Sequence, residues 1–308
     1  MWAIKIFDDR DEKQNEQCLD LALKWGAGIE CANYVGTGMS ANIDARLKNE
    51  FSKKPGHALG LHLSHARIGL LDLFNQEWSA SNLAQVKTIA SRPNAMQAPS
   101  EDDDAVLNTQ AQALAREAGW ANGVGVHDAV IHFQRGHDLA KLIWRSLDPA
   151  KCAALCAPAI DMASALGLRL HLEKTFESRA WLDAFYLQLS RQGQAAQFGF
   201  TFDLGHSRIW ERDSLEAWME SIARYEALGF GLHFHLHGNE GNLDSHDTLG
   251  HAQALGWLDA DSEWAPHGVM PVLMEIQRLY ENKALLVLEN NSEHAAENLG
   301  WVELVMRS

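Results

Sequence analysis

Eight short apolar runs alternate with amphipathic segments along this chain, and that alternation leaves few folds open. The runs are AIKIF (3–7), GIECANY (28–34), LGLHLSH (59–65), HDAVIHF (127–133), LRLHLEK (168–174), FGFTFDL (198–204), FGLHFHLH (230–237) and ALLVLEN (284–290). Between them, stretches such as EQCLDLALKWGA, SRAWLDAFYLQLSRQG and DSLEAWMESIARYEALG repeat apolar residues at spacings of three and four, and several end at Gly, as helices do. Short runs apolar on both faces belong to a parallel sheet covered by helices. Eight strand–helix units in 308 residues, about 38 each, predict closure into an α/β fold, a (β/α)8 TIM barrel, as a single domain over 1–308.

Composition narrows the function classes. Hydrophobic residues make up 46% and charged residues 22%, enough apolar material for a large core. The net charge of −15 disfavours a broad nucleic-acid surface, which rests on Lys and Arg neutralising phosphates. It leaves room for nucleic acid only at a local basic patch. No uninterrupted apolar stretch reaches the roughly 18 residues of a membrane span. The opening MWAIKIFDDRDE turns acidic too soon for a secretory leader. Cys18, Cys31, Cys152 and Cys156 form no CxxC pair, so reduced, buried thiols and a cytoplasmic location are expected. The longest connection, 66–126, contains a polar, proline-bearing loop over 74–104. It ends in the acid run Glu101 to Asp104, which reads as a solvated helix start.

Barrels of this kind build active sites at the C-terminal ends of their strands. Nine metal-type side chains occur in order: His62, His132, Glu173, Asp203, His206, His235, Asp244, His246 and Glu289. All but His206, Asp244 and His246 fall at or near the end of a run, and those three follow within a few residues of one. Five imidazoles and four carboxylates suit zinc or another borderline first-row metal. They exceed what one tetrahedral ion needs, so two or three divalent ions are expected, zinc foremost, with manganese or iron accepting the same donors. Locally, FDLGH places Asp203 and His206 three apart, and DSHDTLG places Asp244 and His246 two apart, on one face if extended. Glu289 follows four apolar residues and Glu173 closes the run LRLHLE, positions where an unpaired charge is costly. Taken singly, a barrel histidine such as His62 or His132 is more often a hydrogen-bonded core residue than a ligand, and a strand-end glutamate can pair with a barrel arginine; the ordered set of nine carries the metal reading. His233 and His237 share the face of His235 and compete with it as ligands. His65, His127, His137 and His251 receive no assignment.

At these residues the chain resembles the endonuclease IV (apurinic/apyrimidinic endonuclease) members of the xylose-isomerase-like TIM-barrel superfamily, at motif level from strand three to strand eight. LHLSH resembles that family's histidine–x–serine turn, LEKT its LENT-type strand five, FDLGH its DTCH-type strand six, and DSHDTLG its DxHxxLG loop. The resemblance implies one ion on His62, His132 and Glu173. It implies a second on Glu173, Asp203, His235 and Glu289, and a third on His206, Asp244 and His246. The chain departs from the pattern at His237 and Gly238, where asparagine–aspartate is usual, at Lys174, where asparagine often stands, and in HFQRGH, which lacks histidine–proline–glycine.

The chemistry expected is metal-dependent hydrolysis of a phosphoester. The substrate would be an abasic nucleic acid, as the resemblance implies, or a small phosphorylated metabolite. Arg67, Arg135, Lys174 and Arg208, with Arg179, are candidates to bind its phosphate, each with a surface salt bridge as the plainer role. The competing expectation is a sugar or sugar-phosphate isomerase or epimerase in which Glu173 and Glu289 act as acid and base. For a DNA role, Trp78, Trp120 and Trp210 are the candidate wedges, with packing as the plainer role of each.

Overall fold

The computed structural model describes residues 1–34, 38–52, 57–64, 67–73, 84, 87–91, 109–134, 147–209, 213–239, 244–250, 269–280, 282–289 and 294–307. The eight runs form eight parallel strands: β1 (Trp2–Phe7), β2 (Gly28–Ala32), β3 (Leu59–His62), β4 (Asp128–Ile131), β5 (Arg169–Glu173), β6 (Phe198–Asp203), β7 (Gly231–Leu236) and β8 (Ala284–Leu288). They pair in sequence order and close into a barrel where Ala3 on β1 meets Val287 on β8. The fold is thus the (β/α)8 barrel expected. Several ladders end sooner than the apolar runs. β3 stops at His62, and His132 and Glu289 sit one residue beyond β4 and β8.

The helices lie outside the barrel: α1 (Glu12–Trp25), α2 (Ala41–Arg46), α3 (Leu70–Leu73), α4 (Thr109–Val124), α5 (Pro149–Ala165), α6 (Arg179–Arg191), α7 (Leu204–Ile209), α8 (Leu215–Ala227), α9 (Val269–Tyr280) and α10 (Ala295–Arg307). Their ends follow local chemistry. Asp148 accepts from the Lys151 amide at 2.8 Å with Pro149 in the first turn, and Ser178 and Ser214 cap α6 and α8. Gly26 ends α1 at φ 66°, a left-handed conformation that glycine adopts without strain. Cys18, Cys31, Cys152 and Cys156 are buried and free. Among the described residues no helix is long and apolar enough to cross a membrane. The acid run Glu101 to Asp104 and nearly all of the 74–104 loop lie outside the described residues.

Period-two alternation sorts each strand. On β6, Phe198, Phe200 and Phe202 face outward and pack on Tyr186, Trp218 and Tyr225, while Gly199, Thr201 and Asp203 face the barrel axis. On β7, Leu232, Phe234 and Leu236 face outward, leaving His233 and His235 inside. A barrel of this type usually fills its interior with branched apolar side chains. Here the interior holds Lys5, Glu30, His171, Thr201 and His233, all buried. Gly199 makes this possible, since a Cβ there would overlap the His171 ring.

Candidate metal centre

At the C-terminal mouth the structure brings all nine predicted side chains together. Glu173 stands at the middle. Its Oε2 lies 3.1 Å from His62 Nε2, 3.3 Å from His132 Nε2 and 3.2 Å from His235 Nδ1. Its Oε1 lies 3.1 Å from His206 Nδ1. His235 Nδ1 is also 2.6 Å from Glu289 Oε2 and 3.8 Å from Asp203 Oδ2. His62, His132 and Glu173 each offer a donor atom within 4.8 Å of the others, and so do Glu173, Asp203, His235 and Glu289. These are the first two donor sets that the resemblance implies, overlapping at Glu173. In the third, Asp244 Oδ2 stands between His206 Nε2 at 3.1 Å and His246 Nε2 at 3.3 Å. Asp244 and His246 do not meet through an extended segment as expected. His246 takes φ 50°, outside the extended region, next to an antiparallel bridge between Gly238 and Asp247.

The imidazoles are oriented for a cation. In His62, His206, His237 and His246, Nδ1 sits on a backbone carbonyl: that of Leu63 at 2.9 Å, Lys174 at 3.1 Å, Gly238 at 3.1 Å and Glu289 at 3.1 Å. Each Nε2 then faces a carboxylate oxygen, of Glu173, Asp244, Asp203 and Asp244 respectively. A neutral imidazole carries one N–H. With that proton on the carbonyl, the Nε2 lone pair faces an oxygen lone pair unless a proton or metal ion lies between them. Backbone carbonyls behind metal-ligating histidines serve this purpose. For His62, burial and the nearby Lys5 ammonium push the imidazole down to about 4, so near neutrality a second proton is not the cation. Asp203 Oδ2 and Asp244 Oδ1 are buried with no hydrogen-bond partner among the described residues, and both point into the same cage. At His62 and at the two unpartnered aspartate oxygens the donor set therefore fits divalent ions, whereas at His237 the Asp203 carboxylate pushes the imidazole up to about 9 against burial, so that in metal-free protein a proton fills that contact.

Burial alone would raise the carboxylates. Instead the imidazoles of His132 and His235 hold Glu173 well below the ordinary range, and His235 and Lys5 do the same to Glu289. Burial opposes protonation of His206 and His235 as well, yet Asp203 and Asp244 raise the first, and Glu289 raises the second.

Reading the sequence missed the layer beneath. Lys5 bonds Glu289 and lies 3.3 Å from Glu30, and Tyr34 donates its hydroxyl to Glu289 at 3.1 Å. Glu30 in turn lies 2.8 Å from His233 Nε2 and 3.1 Å from His235 Nε2. Lower still, Asp128 joins Arg169 at 2.6 Å and His171 at 2.9 Å. The signal was present, because AIKIF and GIECA each carry one charge inside an apolar run. In the sequence His237 stands out as a rival to His235 and as a departure from the family pattern; it is fully buried, with Nε2 3.2 Å from Asp203.

The expected phosphate-binding residues fare differently. Lys174 is corrected: it is buried outside the cage, where its ammonium donates to the carbonyls of Thr175 and His206 and lies over the Trp218 ring. The strand period that points Glu173 inward points Lys174 outward. Arg179 pairs with Asp183 and Asp213 on the helical layer. Arg67 is exposed. Arg135 and the side chain of Arg208 lie outside the described residues, as do Trp78, Trp210, His65, His137 and His251. Trp120 donates to Asp44 at 2.9 Å, a packing role.

A buried acid braces the β3 turn. Glu117 on α4 accepts the Ser64 amide at 3.0 Å, and burial pushes its carboxyl up to about 8. The folded state thus keeps a proton that the unfolded chain releases near pH 4.5, so stability falls as pH rises from there to about 8. Glu117→Gln lacks this loss. Urea unfolding at pH 6 and pH 8.5 is expected to show the variant gaining on the wild type at the higher pH, by up to about 1.4 kcal/mol per pH unit crossed. Parallel curves would mean that Glu117 is already ionised in the fold.

No protein-family model matches the chain, and no curated protein does. Solved structures do. The TTHB071 protein of Thermus thermophilus, from a crystal soaked with zinc chloride, is 19% identical at a TM-score of 0.57, covering 99% of this chain and 97% of that one. A xylose isomerase domain protein from Planctomyces limnophilus is 14% identical at 0.53, covering 99% and 96%. The 3-keto-D-glucoside 4-epimerase YcjR of E. coli is 13% identical at 0.52, covering 98% and 98%. At these identities the likeness is one of fold: the chain shares the (β/α)8 TIM barrel of these solved structures.

Proposed function

We propose that the chain is a metal-dependent hydrolase of phosphoesters, working through two or three divalent ions, zinc foremost, at the barrel mouth. One observation carries this reading. Two donor sets overlap at the Glu173 carboxylate, and a further set gathers around Asp244. A single-ion isomerase has no use for so many donors. Bound ions would lower the pKa of a shared water and stabilise the charge of an in-line displacement. Glu173 would fix the spacing of the first two positions, and Glu289, held by Lys5 and Tyr34, would close the second against the barrel axis. With Lys174 turned outward, the ions themselves would take a larger share in orienting the phosphate.

The second reading, a sugar or sugar-phosphate epimerase, is favoured by the convergence of Glu173 and Glu289 on one position through His235, an arrangement that could flank a bound polyol. One experiment separates the two. Zinc- and manganese-loaded protein is assayed on bis(p-nitrophenyl) phosphate, an abasic oligonucleotide and a panel of ketohexoses and their phosphates, alongside Asp244→Ala. The hydrolase reading expects phosphodiester cleavage that falls at least 100-fold in the variant. Sugar turnover that survives Asp244→Ala in full would replace it with the epimerase.

A further inference from the structure

His237 belongs to none of the three donor sets that the sequence suggests, yet it occupies the space between two of them. Its ring is fully buried. Nδ1 is committed to the Gly238 carbonyl at 3.1 Å, which leaves Nε2 aimed at Asp203 Oδ1, 3.2 Å away, with Asp244 Oδ1 at 3.8 Å. Asp203, His206 and His237 each offer a donor within 4.8 Å of the others, and all three are buried. Gly205 in the α7 turn opens the space, because a Cβ there would overlap the His237 ring. The two Asp203 oxygens diverge. Oδ1 faces His237, whereas Oδ2, without a hydrogen bond among the described residues, lies 3.8 Å from His235 and 3.6 Å from His206. His246 is the more exposed partner, its side chain 24% accessible, and it stacks on His237 at 4.3 Å between ring centres.

We propose that His237 ligates the third divalent ion together with Asp203 and His206, so that Asp203 joins the second and third positions as Glu173 joins the first and second. The proposal rests on the multinuclear reading above and changes its geometry. The ions would form a chain linked by two shared carboxylates rather than a pair with a separate outer ion. Asp244 and His246 would then stand at the open edge of the third position. Two imidazoles and one carboxylate with an open coordination position is a donor set that zinc accepts.

The test is zinc binding by chelator-stripped protein in competition with a chromophoric chelator, which needs no assay of activity. Wild type is compared with His237→Asn and His246→Asn, with folding checked by near-UV circular dichroism. His237→Asn is expected to bind one equivalent fewer than wild type, or to hold its last equivalent at least 100-fold more weakly; His246→Asn is expected to weaken it less than tenfold. Wild type binding two or more equivalents, with His237→Asn matching it in number and affinity, would overturn the assignment of His237 and leave the multinuclear centre standing. Wild type binding at most one equivalent would overturn both. If His237→Asn does not fold, zinc-edge anomalous diffraction from zinc-loaded wild-type crystals decides. A zinc about 2.1 Å from His237 Nε2 supports the proposal. A third zinc on His206, Asp244 and His246 with His237 unligated overturns it.

Discussion

Glu173→Gln is expected to empty more than one metal position at once and to reduce turnover by roughly 10³-fold or more, the scale on which losing a preorganised electrostatic centre acts. Glu173 Oε2 lies 3.1 to 3.3 Å from three imidazoles belonging to two donor sets, and Oε1 reaches a fourth, that of His206. An amide keeps the volume but offers one weakly donating oxygen and an N–H₂ that repels both a cation and a protonated imidazole. The same exchange at Asp244, which touches neither inner set, should leave the ions of the two inner positions in place. Metal content by inductively coupled plasma mass spectrometry, on protein purified without chelator or nickel, reads the difference directly. A Glu173→Gln protein that retains its full complement of ions would show that the two inner sets do not share the carboxylate.

Much of this centre could be read from the sequence because barrel geometry turns chain order into position. A residue at the end of an inward-facing strand phase must arrive at the mouth, so His62, Glu173, Asp203 and His235 were legible from period two alone. His132 and Glu289 needed the same rule extended one residue past the ladder. Asp244 and His246 were found through the DSHDTLG motif, but the conformation inferred for them was wrong, since the left-handed His246 leaves no trace in spacing. Lys174 was misjudged because a cation beside a metal-type glutamate invites a functional reading, although adjacent strand residues face opposite ways. The axial layer of Lys5, Glu30, His171 and His233 went unread for another reason. Its residues lie mid-strand, where a barrel normally packs apolar side chains, and their pairing depends on register between β1, β2, β5 and β7. The glycines that clear space for them, Gly199 above all, signal such a layer only once the partner ring is known.

Lys5 carries the second large effect. Its ammonium is fully buried between Glu289 and Glu30; burial works against its charge, but Glu289, Tyr34 and Glu30 together raise its pKa well above the ordinary lysine value. It therefore stays charged across the neutral range, and its contribution is lost only as pH climbs past the unfolded value of 10.5. Lys5→Met leaves two carboxylates facing each other in the barrel axis. Breaking a buried pair by removing one partner costs about 3–5 kcal/mol, which is expected as a matching fall in urea stability of metal-free protein at pH 7. Adding Glu30→Gln to Lys5→Met should recover at least half of the loss, because one of the stranded charges disappears. Zinc gives the sharper check. Ions on Glu173, Asp203, His235 and Glu289 would supply positive charge where the ammonium stood, so the penalty of Lys5→Met should shrink in the zinc-loaded protein. If the penalty is the same with and without zinc, Glu289 is no part of the second metal position.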